Sequence, residues 1–408
     1  MRHLANRLNA APLEIHAADS PVASFPQSLG KVSHTYLEFT KMKKTLMVAA
    51  LSGMFATAAH AQSSVTLYGL IDAGITYTNS QDGRSNWQET SGSVNGSRWG
   101  LRGAEDLGGG LKAIFTLENG FNIGNGETSQ KGRLFGRQAF VGLASDQYGA
   151  VTLGRQYDSV VDYLGPLALT GTQYGGTQFA HPFDNDNLDN SLRVNNSVKY
   201  QSPNFDGFKF GALYGFSNQA GNFANNRAYS VGASYNYGPL NVAAAYLQLN
   251  NTFTNGAVSN SLGAVSSDEQ EFAAGRQRTW GAGLNYAFGP ATAGFVYTQT
   301  KLDNLLGTNS DLRFNNYEVN GRYNLTPALS VAGAYTYTDG KLNGESPKWH
   351  QFSLQTAYAL SKRTDVYLQG EYQKVVESKT GFTATINGLA PSSFDKQVAV
   401  TAGLRHRF

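Results

Sequence analysis

The chain of 408 residues contains 46 Gly, 22 Tyr and 23 Phe but no Cys, and only 15% of its residues are charged. The lack of Cys excludes disulfides, thiolate metal sites and cysteine nucleophiles. Residues 1–61 carry six basic and three acidic side chains, so the formal net charge of +3 belongs to this segment and residues 62–408 are neutral. A neutral main part has no basic excess that would favour nucleic acid as a partner.

A secretory signal peptide is predicted for residues 42–61. Two lysines directly after Met42 precede an apolar run that ends in Ala59-His60-Ala61. A basic start, a short apolar segment and an Ala-x-Ala site are the signature of export and cleavage. A buried amphipathic helix is the alternative for this run. Residues 1–41 show no sustained periodicity, so we expect them to be a non-native extension from a misplaced start codon, with translation starting at Met42 and cleavage after Ala61.

From Ser64 onward, short segments alternate apolar and polar residues. The segment 280–288, for example, places Trp280, Leu284 and Phe288 on one face and Gly, Asn and Ala on the other. A period of two residues predicts a strand with one apolar and one polar face. Further segments of this kind occur at 67–78, 240–246, 316–323, 365–372 and 397–408.

Short turns alternate with longer loops rich in Asn, Gly, Ser and Asp, which is typical of a transmembrane β-barrel. The short turns lie at 107–110, 147–149, 204–207, 238–239, 289–290, 325–327 and 361–363. Aromatic residues beside them are expected to form a girdle at one membrane interface: Tyr235, Tyr237, Tyr286, Phe288, Tyr323, Tyr358 and Phe408. Counting turns and loops predicts sixteen antiparallel strands, enough for an aqueous channel. The alternative, a soluble β-sandwich, would pack one face into an apolar core instead.

The longest early loop, at about 159–192, is predicted to be functional because of its length. Its aromatic residues and its Gly175-Gly176 pair favour a packed loop folded into the barrel. The candidate residues in and beside it are Asp158, Asp162, Tyr163, Gln173, Tyr174, Asp184, Asp186 and Asp189. Basic residues lie on the polar faces of the neighbouring strands: Arg98, Arg102, Arg137, Arg155, Arg193 and Lys199. Clustered in a water-filled pore, they would create a field that selects ions; scattered, locally paired charges are the alternative.

No motif predicts an enzyme, a cofactor or a metal site. Residues 184–189 resemble the start of a calcium loop but lack the Gly at position six and the Glu at position twelve. The three histidines of residues 62–408, His181, His350 and His406, are dispersed along the chain. No nucleophile elbow or phosphate-binding Gly loop occurs. A hydrolase with a Ser–His pair is the enzymatic alternative.

Five motifs resemble those of the general porins of Gram-negative outer membranes, most closely the β-proteobacterial type. They are Val65-Thr66-Leu67-Tyr68-Gly69, Ser97–Gly103, Gly132–Leu143, Leu153-Gly154-Arg155-Gln156 and Gly403–Phe408. The resemblance covers residues 62–408 as one porin β-barrel domain. It implies an outer-membrane homotrimer whose pores pass small hydrophilic solutes and ions by passive diffusion. It also implies contact with outer-membrane lipid and lipopolysaccharide, and recognition of Phe408 by the barrel assembly machinery.

The resemblance further implies an inward-folded third loop that forms a constriction opposite a basic wall. Arg98, Arg137, Arg155 and Arg193 match the wall positions, and residues 164–176 match the loop. Gln173 stands where an acid commonly precedes the aromatic-Gly-Gly element, so we expect weak selectivity, tilted toward anions if the arginines lack partners. A solute-specific channel with a binding site in the pore is the first alternative. A structural or adhesive barrel without stable conductance is the second.

Overall fold

The computed structural model describes residues 63–250, 253–254, 257–258, 263–266, 269, 271–376 and 379–408. The predicted N-terminal extension, the signal peptide and its cleavage site lie outside these residues. The strands are β1 (Ser64–Gln81), β2 (Arg84–Ser91), β3 (Arg98–Gly108), β4 (Leu111–Gly120), β5 (Gln138–Ser145), β6 (Gly149–Gln156), β7 (Val194–Gln201), β8 (Phe208–Gly215), β9 (Ala228–Tyr237), β10 (Leu240–Asn250), β11 (Phe253–Thr254), β12 (Ala257–Val258), β13 (Ala274–Phe288), β14 (Ala291–Leu305), β15 (Ser310–Asn324), β16 (Leu329–Leu342), β17 (Lys348–Ala359), β18 (Thr364–Val376) and β19 (Lys396–Arg407). No helix in this part of the chain is long and apolar enough to cross a membrane.

The first and last strands close the sheet. β1 pairs antiparallel with β19 over Leu70–Thr78, and its other edge pairs with β3 and then with β2. β2 and β3 therefore share one position in the sheet, interrupted at residues 92–97. Each other strand of this sheet pairs with its neighbours along the chain, while β11 and β12 form a separate hairpin. Over the described residues this is a closed antiparallel barrel of sixteen strands, which confirms the predicted fold.

The two faces of the barrel follow the two-residue period of the strands. On β18, Leu368 is exposed on the outside, whereas its neighbours Tyr367 and Gln369 are buried on the inside. On β15, the outward Val319 alternates with the buried Glu318 in the same way. An apolar outer face suits lipid, and a polar inner face suits a water-filled lumen.

The seven predicted short turns all connect consecutive strands, and the predicted girdle residues beside them are exposed. Phe408 lies at this end of the barrel, where its backbone exchanges two hydrogen bonds with Gly69. Its role as an assembly signal stays a prediction. At the opposite end of the barrel two connections, at 306–309 and 343–347, are shorter than the long loops predicted there. Strands β14, β15 and β16 continue past their alternating apolar and polar segments into polar residues that were expected to belong to these loops.

Leu354 tests the assignment of the outer face. It lies midway along β17 with an exposed fraction of 58%. We expect Leu354→Arg to lower the free energy of unfolding in phospholipid vesicles by about 2–4 kcal/mol, the usual cost of an arginine on the lipid face at the bilayer midplane. Urea titration measures this change, and Leu354→Phe, which keeps the position apolar, is the control. Equal stability of the arginine variant would contradict a lipid-facing Leu354.

Candidate functional site

The connection between β6 and β7, residues 157–193 and here termed the inner loop, packs against the barrel wall. The amide of Leu169 donates to Glu318 of β15 (2.8 Å), and Gln351 of β17 donates to the carbonyl of Ala180 (3.0 Å). Glu318 and Gln351 lie on the buried faces of their strands. These contacts place the inner loop on the side of the sheet opposite to the exposed aromatic residues.

Apolar side chains hold the first and last parts of the inner loop to the wall. Leu164, Leu167 and Leu188 are buried in one cluster with Leu247 of β10 and Val296 of β14. The wall needs a small residue where it meets the loop. A Cβ added to Gly281 of β13 would lie 2.8 Å from Leu164 Cδ2, so a larger side chain there would push Leu164 away from the wall. The largest buried apolar cluster among the described residues therefore lies between the inner loop and the wall.

An aromatic cluster forms a second contact between the inner loop and the rest of the barrel. Phe183 of the inner loop lies 5.2 Å from Phe272 and 5.6 Å from Phe382, measured between ring centroids. Those two rings belong to the connections that precede β13 and β19. Wall residues Phe314 and Trp349 complete the cluster at 6.2 and 6.0 Å. External connections are thus packed onto the inner loop from the opposite side to the short turns.

A buried histidine fixes the middle of the inner loop by charge. His181 Nδ1 lies 2.6 Å from Asp186 Oδ2, and His181 Nε2 lies 3.0 Å from Glu318 Oε2. Burial lowers the pKa of His181, but the two carboxylates outweigh it and raise that pKa to about 10. A protonated imidazole then donates to both acids, which joins the loop to β15. Sequence reasoning treated His181 as isolated, since its partner on β15 is distant along the chain.

The tip of the inner loop meets the segment between β2 and β3. Gly176 has a φ of +87°, and a Cβ added there would collide with the backbone of Val94. Only glycine therefore fits both the left-handed backbone and the close approach. This is the physical reason for the second glycine of the Gly175-Gly176 pair singled out in the sequence.

Two of the predicted wall arginines meet at Tyr157. Arg137 donates from Nε to Glu118 (2.8 Å) and from Nη2 to the Tyr157 hydroxyl (2.8 Å). Arg193 stacks over the Tyr157 ring at 5.4 Å and donates to Asn190 (3.1 Å). The cluster is therefore a connected network, in which Glu118 and Tyr157 are partners that sequence reasoning missed.

Arg155 is held by an acid from another loop. Its Nε donates to the carbonyl of Gly136 (2.8 Å), and its Nη2 pairs with Glu269. Glu269 lies in the connection between β10 and β13 and is also 3.7 Å from Arg133 Nη1. No local sequence signal identifies Glu269, because 114 residues separate it from Arg155.

The other predicted basic residues lie around this network. Arg98 interacts electrostatically with Arg137 and Arg193. Lys199 donates to the carbonyl of Tyr157 (3.0 Å) and pairs with Asp162. Arg102 is exposed and lies 5.2 Å from the Tyr68 ring, so it is the most peripheral of the set.

The predicted acids of the inner loop divide into two groups. Asp158, Asp184 and Asp186 are buried and accept hydrogen bonds within the loop or from the wall. Asp189 is half-buried and interacts electrostatically with Arg193 and Arg137, while burial raises the pKa of Asp189 to about 6. The Asp189 carboxylate accepts a hydrogen bond from the Thr170 hydroxyl (3.3 Å), so its charge acts on the two arginines without a direct ion pair.

The tip residues Gln173, which is exposed, and Tyr174, which is half-buried, lie beside two further arginines. Arg405 of β19 donates to the carbonyl of Gln173 (3.0 Å), and the Arg322 guanidinium lies 4.8 Å from the Tyr174 ring. Both arginines fall on the polar faces of their strands, so strand parity could have identified them.

Tyr163 lies nearer to the short turns than the loop tip does. It lines a cavity of about 800 Å³ on the short-turn side of the inner loop, together with Asp162, Pro166 and Lys209.

A sixteen-stranded barrel with a loop folded against a charged inner wall defines the porin class. The sequence profile of the Gram-negative porins matches residues 46–378. The chain is 36% identical to an outer membrane porin protein of Bordetella pertussis, over 90% of this chain and all of the relative. It is 32% identical to outer membrane porin protein 32 of Delftia acidovorans, with the same coverage. Among solved structures, an anion-selective porin from Comamonas acidovorans superposes with a TM-score of 0.68 at 27% identity, over 85% of this chain and all of that one.

The chain belongs to the Gram-negative porin family. It is an outer-membrane protein that forms a water-filled channel for passive diffusion of small hydrophilic solutes and ions. Its relatives are channels rather than enzymes. The coarser predictions of class, location and transport are thereby confirmed, whereas the roles of individual residues stay predictions.

Gly176→Ala tests the fit of the loop tip. We expect lower stability and an altered single-channel conductance, because the added methyl group must displace the tip from Val94. Gly221→Ala is the matched control, since Gly221 also has a positive φ (+74°) but no atom within 4 Å of an added Cβ. Both variants carry backbone strain of about 1–2 kcal/mol. A conductance that changes equally in both, or in neither, would argue against a packed tip.

Proposed function

We propose that the channel prefers anions weakly, and that the inner loop and the arginine network form its constriction. The observation that carries this proposal is the balance of charge around Tyr157 and Glu269. Five cations face three carboxylates there: Arg98, Arg133, Arg137, Arg155 and Arg193 against Glu118, Asp189 and Glu269. A surplus of positive charge in a narrow, water-filled passage attracts anions.

The preference is weak because carboxylates neutralise most of the arginines. Glu118 binds Arg137, and Glu269 binds Arg155. The Comamonas acidovorans porin that this chain resembles is described as anion-selective, which supports the sign of the preference. A solute-specific channel, the alternative, would show conductance blocked by one solute in a concentration-dependent way.

Glu269→Gln tests the charge balance in a planar bilayer with a salt gradient. Removing one negative charge should raise the anion-to-cation permeability ratio about two- to fivefold, since a unit charge contributes about 0.5–1 kcal/mol over 4–8 Å of water. Glu271→Gln is the control, because Glu271 belongs to the same loop but is exposed. The reversal potential reports the ratio directly. Cation preference in the unaltered protein would overturn the proposal.

We also propose that the barrel assembles as a homotrimer through an aliphatic patch on β5 and β6. Val141, Leu143, Val151 and Leu153 are exposed there and lie opposite one another across the strand pair. A contiguous exposed apolar patch is typical of an interface. A solved outer membrane protein of Vibrio cholerae, described in a trimer form, shares the fold with a TM-score of 0.61 at 18% identity.

Leu153→Arg should convert the trimer to monomers in mild detergent, because a buried, unpaired arginine disrupts an apolar interface. Leu354→Arg is the control, since detergent covers the lipid-facing side of β17. Analytical ultracentrifugation measures the mass of each variant. A trimeric Leu153→Arg protein would place the interface elsewhere. Lipopolysaccharide and the assembly machinery also stay proposed partners, with Phe408 as the signal for assembly.

A further inference from the structure

Four buried side chains on β17 and β18 carry oxygen atoms that lack hydrogen-bond partners. They are Gln351, Gln355, Gln369 and Glu371, each with an exposed fraction of 1–2%. The oxygens in question are Oε1 of the three glutamines and Oε2 of Glu371. Because a buried acceptor without a donor destabilises a fold, this concentration of them on two neighbouring strands requires a physical reason.

The register of the two strands brings these side chains to one place on the inner wall. Ser353 lies opposite Glu371, and Gln355 lies opposite Gln369. Gln351 lies diagonally across from Glu371, one cross-strand pair further along. Opposite residues have Cβ atoms about 5 Å apart and diagonal neighbours are about 7–8 Å apart, a distance that long side chains span. The oxygens can therefore reach a common point beside the Glu371 carboxylate.

Acceptors exceed donors at this place because the inner loop uses two of the amide groups. Gln351 donates to the carbonyl of Ala180 (3.0 Å), and Gln369 donates to Gln178 Oε1 (2.7 Å). Gln351 Nε2 also donates to Glu371 Oε1 (3.3 Å). Of the three amide nitrogens, only that of Gln355 has no partner, against four oxygens without one.

The negative charge of Glu371 is not balanced by a basic residue. Between residues 351 and 355 and between residues 369 and 373, each other inward-facing side chain is Gln or Ser. In the described part of the chain, the charged group that acts on Glu371 is Glu318, a second carboxylate. His181 does not balance the two, because it is shared by Glu318 and Asp186. An uncompensated buried carboxylate is costly, and a bound cation removes that cost.

We propose that Gln351, Gln355, Gln369 and Glu371, here termed the amide site, bind an alkali-metal cation. Amide and carboxylate oxygens are suitable ligands for such a hard cation. One carboxylate balances a single positive charge, and the described residues contain no group of three His, Asp or Glu that suits a metal of higher charge. A water molecule has only two hydrogens for the four acceptors and leaves the charge of Glu371 unbalanced.

The cation also has a structural consequence for the inner loop. Gln351 and Gln369 contact the loop through their amide nitrogens and the cation through their oxygens. The cation therefore fixes the orientation of both amide groups and, through them, the distance of the loop from β17 and β18. This role is independent of the arginine network, so it does not depend on the proposed anion preference of the channel.

Rubidium chloride is the probe for the first measurement. Crystals of the purified, unaltered protein soaked in this salt should give an anomalous-difference peak in contact with Glu371 Oε2. Glu371→Gln keeps the size of the side chain but removes its charge, so the peak should be lost. Glu105→Gln, which removes an exposed carboxylate near the short-turn end of β3, is the control and should keep the peak. A unaltered protein without a peak at Glu371 would overturn the proposal, whether or not Glu371→Gln folds.

Thermal unfolding in detergent is the second measurement. A ligand that binds only the folded state raises its stability by mass action. In potassium chloride at about ten times the dissociation constant, the thermal midpoint should be about 2–4 °C higher than in N-methyl-D-glucamine chloride of equal ionic strength. The organic cation is too large to enter so buried a site. This difference should disappear in Glu371→Gln and persist in Glu105→Gln. A protonated Glu371 needs no cation, so equal midpoints of the unaltered protein in the two salts would contradict the amide site.

Discussion

Closure of the sheet is the constraint on which the rest of this structure depends. In hydrocarbon no water is available to hydrogen-bond an open strand edge, so every backbone donor and acceptor needs a partner within the protein. The pairing of β1 with β19 provides those partners at the seam, and Phe408 completes the ladder through Gly69. Once the sheet is closed, each strand has one face toward lipid and one toward the lumen, and the alternating sequence has only one register that satisfies both.

Closure also creates an interior that the wall side chains alone do not fill. The inner loop occupies part of it, and its attachments differ from one end to the other. Leu164, Leu167 and Leu188 attach it by apolar burial, whereas His181 attaches it through two carboxylates. Apolar contacts tolerate small displacements, while a charged hydrogen bond fixes direction and distance. A loop held in both ways keeps a defined position, which a constriction requires.

The fold was largely predictable from sequence because the information is local. The two-residue period and the turn residues lie within a few positions of one another, and they specified the strands, the girdle and the turns. The break between β2 and β3 was not predicted, since it depends on Asp72 of β1. Its carboxylate accepts the amide hydrogens of Val94 and Asn95, which draws the chain out of the ladder. No period in residues 92–97 encodes that distant acceptor.

The candidate site was predictable in part for the same reason. Strand parity identifies which arginines face the lumen, but it cannot identify the acids that neutralise them. Glu269 reaches Arg155 from a loop 114 residues away, and Glu118 reaches Arg137 from a neighbouring strand. The predicted acids Asp158 and Asp184 proved to be buried supports of the inner loop. The field in the pore is therefore a property of tertiary pairing, and a tally of loop carboxylates does not estimate it.

Parity also decides what a basic residue can do in this barrel. Arg313 and Arg322 lie nine residues apart on β15, an odd separation, so they project from opposite faces. Arg322 faces the lumen and lies over the Tyr174 ring of the inner loop, while Arg313 faces outward at the extracellular rim. The two side chains are chemically identical, yet one projects into the lumen and the other projects toward the lipid phase. A slip of one residue in register would exchange these roles and place an unpaired charge against lipid, so the distribution of arginines itself selects against the wrong register.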